Sequence, residues 1–259
     1  MITFKEQLYA WRSVIFALFL RELQSKFNDK FGLAWAFLEP VVFILLLSFI
    51  RGRLTGGDVH SVPIFVFMMV GLMGLQSFNQ IFNGVSNSIK RNKPLYAFRQ
   101  VQPMSAVVTS GFLEFFIKTV VGLLLGLVLY LMGDTFSMHD PLLFILLCLL
   151  LGIFSTSLGL IFAVGAAFVP EVDKLRKMMT RPLLFISCVF FSLQDISPDY
   201  WVYFSWNPLV HFNELVRYSF FESYGRVGVS LSYFIEVTIV TLFFALSTYH
   251  ITWKRVLSR

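Results

Sequence analysis

Residues 142–169 read LLFILLCLLLGIFSTSLGLIFAVGAAFV, without one charged side chain from end to end. A bilayer core takes about 20 apolar residues per helical crossing, so this run is long enough to span one. Five more apolar blocks, with at most two charged side chains each, lie at 33–50, 63–82, 106–132, 182–193 and 231–250. Over all 259 residues, 57% are hydrophobic and 14% charged, and mean hydropathy is +0.74. No soluble domain accommodates several such blocks. The pattern predicts an all-α polytopic membrane protein with six transmembrane helices, helical because a backbone in lipid must satisfy its own hydrogen bonds. Block 182–193 is short, reaching only about 18 Å as a helix. It must start earlier, around 175–179, or borrow depth from the residues after 193.

The basic residues set the orientation. Sixteen of the 21 Lys and Arg fall on one side: Lys5, Arg12, Arg21, Lys26 and Lys30; Lys90, Arg91, Lys93 and Arg99; Lys174, Arg176, Lys177 and Arg181; Lys254, Arg255 and Arg259. Arg51, Arg53, Arg217 and Arg226 fall on the other, and Lys118 lies within a block. The positive-inside rule makes both termini cytoplasmic. The net charge of +6 then reflects topology and calls for no nucleic acid. Residues 1–32 read as a cytoplasmic amphipathic segment lying in the interface, ahead of a single six-span domain at 33–259. Its apolar face is expected to be Leu8, Trp11, Ile15, Phe19 and Leu23, with Arg12 and Glu22 off it.

Several kinds of chemistry are missing. No stretch matches the phosphate-binding G-x-x-x-x-G-K-[ST] loop, and no H-E-x-x-H or G-x-S-x-G occurs. The reading is therefore of a non-enzymatic chain with no cofactor of its own. Cys148 and Cys188 sit in separate blocks and indicate neither a disulfide nor a metal site. Glu114 and Lys118 lie four apart on the third block, the favourable order for a helical ion pair. Each alone near mid-bilayer costs about 2.5–3.5 kcal/mol, so they are expected either to neutralise each other or to line a hydrophilic path. Glu39 precedes Pro40, which suggests a helix restarting there with Glu39 near its cap.

Three motifs carry a family resemblance. The first runs from Arg21-Glu22-Leu23 to Gly32-Leu33-Ala34-Trp35-Ala36-Phe37-Leu38-Glu39-Pro40. The second joins Asn92-Lys93-Pro94-Leu95-Tyr96 to Val101-Gln102-Pro103. The third joins Trp206-Asn207-Pro208-Leu209-Val210-His211 to Glu214-Leu215-Val216-Arg217. Together they resemble the polysaccharide-exporting ABC permeases, most closely the capsular-polysaccharide branch, and the resemblance covers almost the whole chain. It implies a type-2 ABC exporter fold, a second copy of the chain, and a separate cytoplasmic ABC ATPase subunit that holds ATP and Mg. It further implies a lipid-linked acidic polysaccharide as substrate, a periplasmic polysaccharide co-polymerase, an outer-membrane exporter, and residence in the bacterial inner membrane. Teichoic-acid and O-antigen permeases share the architecture. From other classes, a membrane-embedded enzyme on lipid-linked glycans and a scaffold for a synthase complex stay open.

Three sets of residues are the candidate sites. Segment 86–100 combines basic residues with apolar ones, which suits a coupling helix docking on the ATPase; Asn92, Lys93, Pro94, Leu95 and Tyr96 are its centre. Segment 170–181, the other cytoplasmic loop, offers a second contact. Trp35, Glu39, Arg51, Arg53, Glu114 and Lys118 are candidates for the translocation path, the cations for substrate carboxylates and Trp35 for sugar rings. Arg51 and Arg53 serve equally well as anchors to lipid phosphates. Segment 194–230 holds ten aromatic residues, and Pro198 and Pro208 each mark a helix start. It predicts re-entrant exoplasmic helices between spans five and six. Segment 197–224 would then be a gate, with Trp206, Asn207, His211, Glu214 and Arg217 as its candidate residues. An interfacial aromatic belt is the plainer alternative.

Overall fold

The computed structural model describes residues 4–27, 32–55, 58–60, 62–98, 100–131 and 138–258. Lys30, Arg99, Met132 and Arg259, used above for orientation and boundaries, lie outside them. Eight α-helices make up the described chain: α1 (Phe4–Phe27), α2 (Gly32–Thr55), α3 (Ile64–Arg91), α4 (Pro103–Leu131), α5 (Pro141–Phe168), α6 (Val172–Ile186), α7 (Pro208–Phe220) and α8 (Leu231–Ser258). Two strands, β1 (Asp58–Val59) and β2 (Val62–Pro63), pair antiparallel between α2 and α3. Among the described residues, four helices are long and apolar enough to cross a membrane: α3, α4, α5 and α8. The chain is a multi-pass membrane protein.

Helix α3 is the centre of the bundle. It packs on α2, α4, α5 and α7, and α5 also packs on α8. At 28 residues it is roughly 42 Å long, more than a hydrocarbon core needs. Two glycines admit its neighbours. A Cβ on Gly74 would stand 2.5 Å from a ring carbon of Phe212 and 2.6 Å from Asn213 Oδ1, so α7 approaches there only because the side chain is missing. A Cβ on Gly84 would stand 2.9 Å from Glu114 Cγ on α4.

Elements α4, α5 and α8 begin within three residues of the apolar blocks that announced them. Other expectations need correction. Pro40 does not open a helix; it lies inside α2, which already runs from Gly32. The fifth block is not a helix over 182–193. Helix α6 starts at Val172, with Asp173 in its first turn, and ends at Ile186, where Cys188 takes a φ of +52°. Most of the expected loop 170–181 is therefore helix, and its Arg176 is buried. On α1, Leu8 and Trp11 are exposed, whereas Leu18 and Glu22 are buried. The side that packs is rotated toward α4, because Glu22 and Lys26 find polar partners there.

Candidate functional site

A polar clasp joins α1 to the ends of α3 and α4. Glu22, 4% exposed, pairs with Arg91 at 2.9 Å and accepts from Ser110 Oγ at 3.0 Å and Asn92 Nδ2 at 3.1 Å. Arg21 donates to Asn92 Oδ1. One turn further, Lys26 pairs with Glu114. Phe19 packs between, against the rings of Phe112 and Phe116. The contact order 15 on 109, 22 on 110 and 26 on 114 shows α1 and the first half of α4 running in the same direction. Glu114 and Lys118 are thus not each other's hydrogen-bond partners: Lys118 Nζ donates to Gln76 Oε1 at 3.2 Å. The Arg-Glu-Leu motif is where α1 is tied down, a role no local spacing reveals.

The clasp holds the candidate coupling segment. Residues 86–91 are the last turns of α3, and Lys93–Ala97 forms a 3-10 helix with Pro94 in its first turn. Asn92 is fully buried by the clasp, while Lys93 and Pro94 are exposed. Leu95 and Tyr96 are only partly exposed. Tyr96 packs against the cluster built on Ile81, Val85, Ile89 and Val107, and this burial pushes its hydroxyl well above the usual range. Phe98 is 65% exposed and is the apolar side chain that this surface offers outward.

Glu39 and Trp35 lie on an exposed face of α2 with Leu38, Val42 and Leu46. Arg51 and Arg217 flank one ring, Phe67, with their guanidinium carbons 5.1 and 3.5 Å from its centroid. Arg53 lies over Phe49.

In the segment read as exoplasmic, α7 is buried nearly all round. Asn207 caps it, accepting from the Leu209 backbone N–H at 3.0 Å and donating to Ser187 Oγ at 3.0 Å. Glu214 Oε1 accepts from Arg217 Nη1 at 2.8 Å. Glu214 Oε2 accepts from Tyr224 Oη at 2.8 Å and Ser192 Oγ at 3.0 Å, and Arg217 Nη2 donates to the Val189 carbonyl. His211 Nε2 faces the Ser205 carbonyl at 2.7 Å, and its Nδ1 accepts from the Ser230 backbone N–H at 3.0 Å. The side chains of His211 and Glu214, candidates for the gate, therefore point into their own subunit. Trp206 stays 60% exposed, beside exposed Tyr200 and Tyr203. Two further contacts tie this segment to neighbouring loops: His60 to Asp195 at 2.7 Å and His139 to Glu222 at 3.6 Å.

One group was missed at the sequence level. Gln76, Asn79, Asn83 and Asn87 recur at spacings of three and four along α3, hence on one face. Arg176 of α6 donates to Asn83 Oδ1 and, at 3.3 Å, to Asn87 Oδ1. The spacing was a readable signal, but carboxamides carry no charge and do not interrupt a hydropathy reading.

Comparison with known proteins fits this arrangement. The family model described as ABC-2 type transporter matches residues 13–221. The polysialic acid transport protein KpsM of Escherichia coli is 37% identical over 234 residues, covering 90% of this chain and 91% of its own length. The capsule polysaccharide export inner-membrane proteins BexB of Haemophilus influenzae and CtrC of Neisseria meningitidis serogroup B are 25% and 24% identical. BexB covers 88% of this chain and 89% of its own length, and CtrC 95% and 93%. With a family match over most of the chain and a relative of this identity aligned almost end to end, the chain belongs to the ABC-2 type transporter family.

Proposed function

We propose that this chain is the permease subunit of an ABC exporter that moves a lipid-linked acidic capsular polysaccharide outward across the bacterial inner membrane. The observation that carries the reading is the near end-to-end similarity to KpsM, supported by BexB and CtrC. In this reading α2 and α6 complete six crossings, α6 with help from the residues after Ile186, and both termini are cytoplasmic. Two copies of the chain enclose the path. ATP and Mg sit on a separate KpsT-like ATPase. A KpsE-like periplasmic co-polymerase and an outer-membrane exporter continue the route.

The ATPase docks on the exposed part of 86–100, through Lys93, Pro94 and Phe98, and on the first turns of α6. A push there reaches α1 and α4 directly, because Asn92 and Arg91 are bonded to Glu22 and Ser110. At the far end, α7 with the short helices around it re-enters the outer leaflet and moves as one gate. Its buried Glu214–Arg217–Tyr224 contacts favour rigid-body motion, and the Trp206 rim is the surface that meets the second copy.

Deletion of the gene in its own host tests the reading. Surface acidic polysaccharide should disappear and accumulate inside the cell, the cloned chain should restore it, and a nucleotide-hydrolysing subunit should co-purify with the chain. Unchanged surface polysaccharide in the deletion strain would remove the reading.

A further inference from the structure

We propose that the cavity between α2, α3 and α6 binds a hydroxyl-rich, anionic sugar unit, held by Gln76, Asn79, Thr180 and Arg181 between the rings of Phe43 and Phe185. The inference rests on the export reading above and deepens it by assigning a glycan subsite. The cavity measures about 400 Å³ and these six side chains line it. That volume falls within the roughly 300–1,000 Å³ of small-molecule pockets, enough for a sugar unit rather than a folded partner. Gln76 lies near the middle of α3, about 22 Å along the helix from Arg91, and the cavity opens outward past the exposed Arg181 and Phe185.

Three observations point to a glycan. Asn79 Oδ1 is buried and has no hydrogen-bond partner, an acceptor left open where buried acceptors are normally filled. Its neighbours on the same face are committed: Asn83 and Asn87 to Arg176, and the Gln76 carbonyl oxygen to Lys118. The amide N–H donors of Gln76 have no acceptor among the described residues. A carboxamide both donates and accepts, as does a sugar hydroxyl. It does so without the charge that lipid penalises most.

The second observation is Arg181. It lines the cavity, and no carboxylate pairs with it among the described residues. Its planar fork suits a carboxylate on the sugar. The third is the ring pair. Phe43 and Phe185 offer flat apolar faces to the C–H side of a pyranose, and α2 extends that surface through Trp35.

The experiment uses the full chain with its ATPase in cells that make the polysaccharide. A photoreactive benzoylphenylalanine replaces Leu184, which also lines the cavity. Illumination should give a high-mass adduct that a hydrolase specific for the glycan collapses. In the same background, Asn79→Leu should lower both the adduct and export roughly tenfold, the loss of about one or two hydrogen bonds. Membrane abundance and ATPase co-purification should hold. An adduct with phospholipid alone makes the cavity a lipid groove and overturns the proposal. So does a glycan adduct from position 35 with none from 184, which leaves the export reading intact. Failure of the wild-type chain to restore surface polysaccharide fails the export reading, and this site with it.

Discussion

Glu114 pairs with Lys26, a residue 88 positions away, although Lys118 stands one helical turn along. The i, i+4 spacing put two charges on one face but said nothing of what else reaches that face. A double-mutant cycle separates the alternatives. Lys26→Gln with Glu114→Gln should show a coupling of about 1 kcal/mol in the thermal unfolding of the detergent-solubilised protein. Lys118→Gln with Glu114→Gln should show a smaller coupling, because Lys118 bonds to Gln76 instead. Coupling only in the second cycle would contradict the clasp. Glu214 is a harder case, because its carboxylate answers the buried Arg217 and two hydroxyls. Glu214→Ala leaves that arginine without its counter-ion and should cost about 3–5 kcal/mol, read as lost membrane abundance and a lower unfolding temperature. Unchanged stability would mean that Arg217 draws its support from Val189 and Phe67 instead. Glu114 was legible as unusual because it is a charge in an apolar block, and Glu214 through its motif. Their partners were not, because long-range pairing leaves no mark in local spacing.

Elements differ in how plainly they were written. Helices α4 and α5 are long runs with few or no charges, and hydropathy alone delimits them closely, whereas α8 runs eight residues past its block, through Lys254 and Arg255. Helix α6 mixes Asp173, Arg176 and Pro182 into 15 residues, so it reads as half loop and half span. Arg176, bonded to carboxamides of α3 and paired with Asp173 at 3.4 Å, helps hold the basic half helical. The 3-10 helix Lys93–Ala97 shows the same limit. Its sequence announced a docking element, yet Asn92 and Tyr96 turn out to serve the permease's own packing. The prediction for this element rests on the side chains left outside. Phe98→Asp should abolish co-purification of the ATPase while leaving membrane abundance unchanged, and Tyr96→Asp should lower abundance itself. If Phe98→Asp retains the ATPase and full export, the docking surface lies elsewhere, with the start of α6 the next place to look. Close packing gives another check: Gly74→Val must push α7 off α3 and should cost about 1–3 kcal/mol in stability.

Across the molecule, the parts form a chain of contacts from one side to the other. The 3-10 segment after α3 touches the clasp, the clasp touches α4, and α3 carries both the carboxamide face and, through Gly74, the buried α7. Exposed apolar side chains remain on α2 and α8, including Leu46, Phe49, Phe243 and Ile251, as expected of surfaces that meet lipid or a second copy. The proposed function requires such an assembly to move an acidic glycan at the expense of ATP. Inverted inner-membrane vesicles containing the chain and its ATPase measure that directly, with lipid-linked acidic polysaccharide supplied on the outer, originally cytoplasmic face. On adding ATP, polysaccharide should enter the lumen and become protected from an added glycan hydrolase, and vesicles without the chain should protect none. Polysaccharide that stays equally accessible with and without ATP, in vesicles where chain and ATPase are assembled, would contradict the assignment as an exporter.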